Sequence, residues 1–230
     1  MRHSGPPDSS PREAGSRPAW NPLRSPWMTG VSIGLWAGIA LIGFVVLLAF
    51  DKSPGRAAAA PTDWPAASRL PREPGEPLLV MLVHPHCSCT RASLEELARF
   101  QARDPHHVHT LVVLVQPAGV SRAWTATQVT GSAVSMRGVT VIADSAGVET
   151  ARFGSWTSGQ VLLYDATGRL RFSGGITGAR GHPGDNAGLS ALTAADHALD
   201  VATPAAGASV YGCPLRGPER GTFSFLGDRP

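Results

Sequence analysis

The fold is decided by the stretch Leu78-Leu-Val-Met-Leu-Val-His84-Pro85-His86-Cys87-Ser88-Cys89-Thr90-Arg-Ala-Ser93-Leu-Glu95-Glu96-Leu97-Ala-Arg-Phe100. It opens with an uninterrupted apolar run, which is typical of a strand buried on both faces. It ends with apolar residues at helical spacing, and Ser93 with Glu96 forms a capping-box pattern that predicts a helix start. Glu95 and Glu96 then become ordinary acids of the first helical turn, which complement the helix dipole. Two cysteines therefore lie where a strand gives way to a helix.

Cys87 directly follows the predicted strand and is the predicted nucleophile. A cysteine at a helix start lies near unpaired backbone N–H groups and the positive end of the helix dipole. Both favour the thiolate, which is the reactive species, so we expect a lowered thiol pKa for Cys87. His84 and His86 flank the cysteine and are candidates either to stabilise its thiolate or to ligate a soft metal. The alternative for Cys87 is a buried, inert cysteine.

Cys89 and Cys213 are the two candidates to resolve Cys87. Cys89 is a resolving thiol, a second metal ligand or a packed helix-start residue, whereas Cys213 lies in a tail next to Gly212 and Pro214. Around a helix start, residues two apart point about 200° away from each other, so a Cys87–Cys89 bond would unwind the first turn. We therefore predict that Cys87 and Cys89 are unbonded in the reduced chain and that Cys213 lies close to Cys87. A free Cys213, or one that pairs with another chain, is the alternative.

The N-terminal part of the chain predicts a membrane anchor. Residues 1–27 are rich in Pro, Ser, Gly and Arg and are predicted to be a disordered cytoplasmic tail. Residues 28–50 carry no charge and are long enough for a transmembrane helix, which takes about 20 residues. The arginines before this run favour a cytoplasmic N-terminus, so the remainder is exported. A cleaved secretory signal, with Ala57–Ala60 as small residues for cleavage, is the alternative and exports the same part.

The exported part divides into a linker, a domain and a tail. Residues 51–76 are rich in Pro and Ala and predict a tether, residues 77–202 predict the folded domain, and residues 203–230 form the tail that carries Cys213. Within the domain the predicted order is βαβαβ(α)ββα, which is an α/β fold with helices on both faces of a mixed sheet. The last helix, about 186–199, is capped by Asp185 or Asn186. The net charge of +3 comes with scattered arginines, which argues against a nucleic-acid partner.

The strand that ends in His-Pro-His-Cys, the cysteine-containing helix start and the hairpin Gln160–Leu170 resemble the membrane-anchored bacterial thioredoxin-like proteins of the TlpA and ResA kind. More narrowly, His-Pro-His-Cys-x-Cys-Thr-Arg-Ala-Ser, Phe-Ser-Gly-Gly-Ile-Thr and Gly-His-x-Gly-Asp-Asn resemble the bacterial proteins called RedB. The resemblance covers about residues 78–215. It implies an extended thioredoxin fold and thiol–disulfide chemistry, in a single-pass protein of the bacterial inner membrane whose domain faces the periplasm.

Two departures from that family bear on the chemistry. The family's usual site is Cys-x-x-Cys, whereas this chain has Cys87-Ser88-Cys89. The family's cis-proline, which helps to shape the substrate groove and keeps metals off the thiols, is replaced by Gly159. The second departure opens a metal-binding interpretation.

A second dense stretch, Gly174 to Asn186, supplies candidate surface residues. Its glycines permit close backbone approach. Arg180, His182 and Asp185, together with Gly159, are predicted to form a substrate or partner surface. The alternative is a long connection into the last helix.

Three functions compete on these residues. The first is a membrane-tethered thiol–disulfide oxidoreductase or peroxidase without a cofactor, acting on protein thiols, disulfides or peroxide through Cys87. The second resembles the copper-handling Sco assembly factors, with Cys87 and Cys89 holding Cu(I) and His84, His86 or His182 completing the site. The third is a tethered binding module whose cysteines form a structural bond.

Overall fold

The computed structural model describes residues 26–104, 108–199, 201 and 203–215. The chain divides into two compact units, one ending at Leu47 and the other beginning at Leu48. Helix α1, Pro26–Asp51, has no buried residue, and its length and apolar composition are enough to cross a membrane. A signal sequence near the N-terminus has the same properties, so anchor and cleaved signal both stay predictions. Residues 1–25, most of the predicted disordered tail, lie outside the described residues.

The second unit is built on a six-stranded sheet with the order β3-β2-β1-β4-β5-β6. Strands β1, β2 and β3 are mutually parallel, β4 is antiparallel to β1, and β5 is antiparallel to β4. The strands are β1 Leu78–Val83, β2 His109–Gln116, β3 Val139–Ser145, β4 Gln160–Tyr164, β5 Leu170–Gly174 and β6 Ala206–Gly207. The remaining helices are α2 Cys89–Gln101, α3 Gln128–Val134, α4 Val148–Arg152 and α5 Ala187–His197, with a 3-10 turn at Arg122–Thr125. This arrangement confirms the predicted thioredoxin-like fold.

Strand β1 is the centre of the core because every one of its side chains is buried. Successive side chains point to opposite faces of a strand, so Leu79 and Met81 pack on one face and Val80 and Leu82 on the other. Helices α2 and α5 cover the first face, and Phe153 at the end of α4 joins the cluster on the second. Burying each such side chain is worth about 1.5–3 kcal/mol. The apolar run is therefore what fixes the site-bearing turn at one end of β1.

The predicted capping box at Ser93 is wrong. Helix α2 begins at Cys89 with Ser88 as its N-cap residue, and Ser93 lies inside the helix with its Oγ 3.5 Å from the Cys89 carbonyl oxygen. Because the helix starts earlier, Glu96 is not a first-turn acid. It is fully buried, accepts a hydrogen bond from the Gly184 N–H and pairs with Arg99. The sequence left Asp185 and Asn186 as alternative caps of the last helix. In the structure the cap is Asn186, whose side-chain oxygen accepts a hydrogen bond from the Leu189 N–H at 2.8 Å.

Residues on both sides of the predicted domain pack against it. Within the predicted linker, Leu70 is buried in the second cluster, Trp64 packs beside it, and the Trp64 N–H donates to the Gly168 carbonyl at 2.8 Å. Within the predicted tail, strand β6 pairs with β5, and Pro214 forms an isolated bridge with Thr157. These residues therefore contribute to the packed unit, although their Pro, Ala and Gly content predicted a tether and a free tail.

Candidate active site

A tight turn after β1 positions Cys87. The Cys87 N–H donates to the His84 carbonyl at 3.0 Å, and the Thr90 N–H donates to the Cys87 carbonyl at 3.1 Å. Helix α2 then begins at Cys89, so Cys87 precedes the helix by two residues. Cys87 is 2% exposed and Cys89 is half-buried.

Cys213 is held beside Cys87 by backbone hydrogen bonds to a segment distant in sequence, residues 156–158. The Ser158 N–H donates to the Cys213 carbonyl at 2.8 Å, and the Leu215 N–H donates to the Trp156 carbonyl at 2.8 Å. Gly212 makes this approach possible because a Cβ there would lie 2.0 Å from the Ser158 carbonyl oxygen. Gly212 is thus a site residue that sequence reasoning missed.

The three cysteines form one cluster. Cys87 Sγ lies 2.7 Å from Cys213 Sγ, and all three sulfur atoms lie within 4.8 Å of one another, with none bonded to another. The predicted proximity of Cys213 to an unbonded Cys87 is confirmed. The Cys89 sulfur is nearer to the Cys87 sulfur than helical periodicity suggested. That periodicity does not apply to Cys87, because Cys87 precedes the helix.

Cys87 is the thiol of the cluster most easily ionised. Burial opposes ionisation and is the largest single influence, but hydrogen bonds outweigh it and hold the pKa of Cys87 below its ordinary value. The largest of these comes from the Cys213 side chain, followed by the backbone N–H groups of Cys213 and Cys89 and by the Thr90 hydroxyl. The direction agrees with the sequence-based expectation, and so does the contribution of the Cys89 N–H at the helix start, but His84 and His86 are not among the causes.

The other two thiols are held in the neutral form. Burial first, then the hydrogen bond to Cys87 and its negative charge, raise the pKa of Cys213 to about 12. Burial and the charge of Cys87 likewise raise the pKa of Cys89. The positive charge of Arg180 opposes both shifts. Cys87 is thus the first thiol of the cluster to ionise, with Cys213 as its neutral hydrogen-bond donor.

Hydrogen bonds among His84, Thr90 and Ser158 hold the turn that carries Cys87. The His84 N–H donates to Ser158 Oγ at 2.9 Å, and the Thr90 hydroxyl lies 3.2 Å from the His84 carbonyl and 3.0 Å from Ser158 Oγ. Ser158 therefore links the turn that carries Cys87 to the segment that carries Cys213. Thr90 and Ser158 could not be predicted as site residues from the sequence, because isolated hydroxyl residues have no diagnostic spacing.

The three candidate histidines do not join the cysteine cluster. His84 and His86 pack around the Trp124 ring, and His86 Nε2 lies 2.8 Å from the Trp124 carbonyl oxygen. Burial and the neighbouring His86 lower the pKa of His84, which keeps its ring neutral. His182 is exposed, with its Nδ1 2.8 Å from the Arg180 carbonyl oxygen. Among the described residues, the possible metal-binding group contains the three cysteines alone.

The predicted partner surface separates into two parts. Arg180 belongs to the site, since its Nη1 donates to the Gly212 carbonyl beside Cys213. Gly159 also borders the site, with φ of +89° and its N–H donating to the Leu82 carbonyl at 2.9 Å. Asp185, like His182, is an exposed residue of the connection into α5.

An open groove of about 800 Å³ begins at Ser88, between the two α2-side cysteines, and runs between α2 and α3. Its floor is mostly apolar, and Arg91 with Glu95 supplies charge at its rim. The other lining residues are Leu94, Ala98, Gln128, Val129, Ser132 and Met136. The groove therefore begins beside the turn that carries Cys87.

No protein-family model and no curated protein matches the chain. Solved structures do match it. MTB DsbF, in its mixed oxidised and reduced forms, is 18% identical over 55% of this chain and 82% of its own, with a TM-score of 0.39. A secreted Mycobacterium tuberculosis disulfide oxidoreductase homologous to E. coli DsbE is 17% identical over 54% of this chain and 83% of its own, with a TM-score of 0.38.

Thioredoxin-like disulfide oxidoreductases are among its structural neighbours. An uncharacterised conserved protein from Geobacillus kaustophilus also matches, 13% identical over 74% of this chain and 95% of that one, with a TM-score of 0.49. These matches concern the fold alone, and their TM-scores lie below 0.5.

Proposed function

We propose that this protein is a thiol–disulfide oxidoreductase in which Cys87 is the nucleophile and Cys213 the resolving cysteine, acting on protein thiols and disulfides. The observation that carries the proposal is the 2.7 Å contact between the two sulfur atoms. The opposite directions of their pKa shifts give the pair a defined order of attack. No cofactor is needed for this exchange.

The first step is the attack of the Cys87 thiolate on a substrate disulfide. A Cys87–substrate bond forms, the substrate S–S bond breaks, and the second substrate sulfur leaves as a thiolate. Because Cys87 is 2% exposed, the segment that carries Cys213 has to move aside for the substrate to enter. The groove that begins at Ser88 is the surface on which that substrate would lie.

The second step is made easier by the first. The hydrogen bond to Cys87 and the negative charge of Cys87 are two of the causes that hold Cys213 in the neutral form. Both disappear when the Cys87 sulfur enters the mixed disulfide, while Arg180 continues to favour the Cys213 thiolate. Cys213 then loses its proton to the substrate thiolate released in the first step and attacks Cys87 Sγ, which breaks the Cys87–substrate bond and releases the second substrate sulfur as a thiolate. The products are a reduced substrate and a Cys87–Cys213 disulfide, with two electrons transferred.

Insulin reduction by the full chain in detergent, with dithiothreitol as the reductant, tests the assignment. We expect Cys87→Ala to abolish turnover. When the reduced Cys213→Ala protein is mixed with insulin in the absence of dithiothreitol, it should trap a mixed disulfide on Cys87, which mass spectrometry detects. Cys89→Ala is the matched control and should keep turning over. Full turnover by Cys213→Ala, or loss of turnover only in Cys89→Ala, would overturn the assignment. Peroxide consumption in the same preparations separates a peroxidase from a disulfide reductase.

The membrane setting is part of the proposal. Helix α1 supports a single-pass anchor in the bacterial inner membrane, with the N-terminus in the cytoplasm and the redox domain in the periplasm. The motif around Cys87 supports placement among RedB-type proteins. Reporter fusions at residue 1 and after residue 215 test the topology, and an exported N-terminus would contradict it.

The copper-handling alternative with a histidine ligand receives less support. His84 and His86 pack around Trp124, and His182 lies outside the sulfur cluster. A structural disulfide is also less well supported, because the three thiols are unbonded and the pKa of Cys87 is lowered whereas that of Cys213 is raised.

A further inference from the structure

The sulfur cluster has one member more than disulfide exchange requires. Cys87 and Cys213 form the exchange pair, yet Cys89 Sγ lies within 4.8 Å of both of their sulfur atoms. No histidine or carboxylate among the described residues belongs to the group. The arrangement is thus a set of three potential thiolate ligands of a single chemical type.

An all-thiolate set selects soft cations over hard ones. A metal bound by three sulfurs in a plane, with metal–sulfur bonds of about 2.3 Å, places the sulfur atoms about 4.0 Å apart. The present cluster, with every sulfur within 4.8 Å, is close to that size. The Cys87–Cys213 pair must widen from 2.7 Å, and rotation of a side chain with a single atom beyond Cβ can supply this.

The surroundings suit a site of net negative charge. Three thiolates around a monovalent cation carry two negative charges, and the Arg180 guanidinium is held beside Cys213 by its hydrogen bond to the Gly212 carbonyl. Cys89 and Cys213 are half-buried, so an ion can enter from solvent, while the buried Cys87 closes the other side. The chain has three cysteines, so no fourth thiolate is available.

We propose that the reduced protein binds one Cu(I) ion through the thiolates of Cys87, Cys89 and Cys213. Cu(I) accepts three soft ligands, whereas Zn(II) in proteins takes four ligands or three with a bound water. Binding releases the thiol protons and changes no oxidation state. It also occupies the nucleophile and the resolving thiol together, so the metal-bound form is inactive in disulfide exchange until the ion is removed.

The test is an anaerobic titration of the reduced full chain in detergent with Cu(I), in competition with a chromophoric Cu(I) chelator. We expect one equivalent to bind, and each of Cys87→Ala, Cys89→Ala and Cys213→Ala to weaken binding more than about 100-fold, since loss of an outer-shell group alone costs 10–100-fold. His182→Ala is the matched control and should bind like the unaltered chain. X-ray absorption should show three sulfur neighbours and no nitrogen.

Several results would overturn the site. They are unchanged binding in Cys89→Ala or Cys213→Ala, a nitrogen neighbour in the absorption spectrum, weakening in His182→Ala, and tighter binding of Zn(II) than of Cu(I). Failure here is distinguishable from failure of the oxidoreductase assignment, because insulin reduction is measured on metal-free protein.

Discussion

Replacing Gly212 with alanine should detach Cys213 from Cys87. The added Cβ would lie 2.0 Å from the Ser158 carbonyl oxygen and 3.0 Å from the Ser158 carbonyl carbon. The obstacle is backbone, which cannot rotate away as a side chain can. Reaching an ordinary contact of about 3.4 Å requires a shift of about 1.4 Å, and forced overpacking of this kind costs about 1–3 kcal/mol.

That shift acts directly on the neighbouring residue. A displacement of this size next to Cys213 disturbs its contact with Cys87 Sγ, now 2.7 Å, and weakens the hydrogen bond between the two thiols. The pKa of Cys87 should then rise, because the largest influence that lowers it is weakened. The free energy of unfolding should fall by about 1–3 kcal/mol, and Tm by about 2–4 °C for each kcal/mol.

The assay follows thermal unfolding of the full chain in detergent and the pH midpoint of Cys87 alkylation, read by peptide mass spectrometry. The midpoint is used because it does not depend on how accessible the thiol is. Gly131→Ala is the matched control, since a Cβ there meets nothing within 4 Å and the residue lies in α3. It should leave Cys87 unchanged and stabilise the helix by up to about 1 kcal/mol. Equal Tm values and equal Cys87 midpoints in the two variants would refute the reasoning.

Three further predictions concern charge. Cys213→Ala should raise the pH midpoint of Cys87 alkylation more than Cys89→Ala does, and an equal or larger rise in Cys89→Ala would contradict the role of Cys213. Insulin reduction by the unaltered chain should decline as pH falls through the lowered pKa of Cys87, because the thiolate is then protonated. Arg171→Ala should lower the free energy of unfolding by about 3–5 kcal/mol in urea, because it breaks the buried ion pair with Asp165 and removes the hydrogen bonds to the Ala198 and Val201 carbonyls. Arg91→Ala, from an exposed ion pair, should change it by less than about 1 kcal/mol. Similar losses in both variants would contradict the burial argument.

Local patterns predicted the parts of the fold that local chemistry determines. The apolar run of β1 and the cysteine-bearing helix start follow from side-chain periodicity, and Asn186 caps α5 because its short amide can reach a backbone N–H. The same kind of local pattern failed at Ser93 and Glu96, where a capping-box spacing recurs inside a helix that starts earlier. A short motif cannot report which of two possible starts the preceding turn selects.

The site itself depends on contacts between residues far apart in sequence. Cys213 was a candidate from its residue type and tail position, but its register against Ser158 depends on backbone hydrogen bonds that leave no side-chain pattern. Gly212 in a Pro- and Gly-containing tail indicated freedom, and the structure uses the missing Cβ for close packing. Val210 and Leu215, both buried, were the one local sign that this tail packs.

Peptide mapping of the oxidised full chain, with non-reducing digestion and mass spectrometry, tests the central claim most directly. The 2.7 Å contact predicts a Cys87–Cys213 disulfide, with Cys89 recovered as a free thiol. A Cys87–Cys89 disulfide with Cys213 free would contradict the account, because the pair that makes contact in the reduced chain would then not be the pair that exchanges electrons.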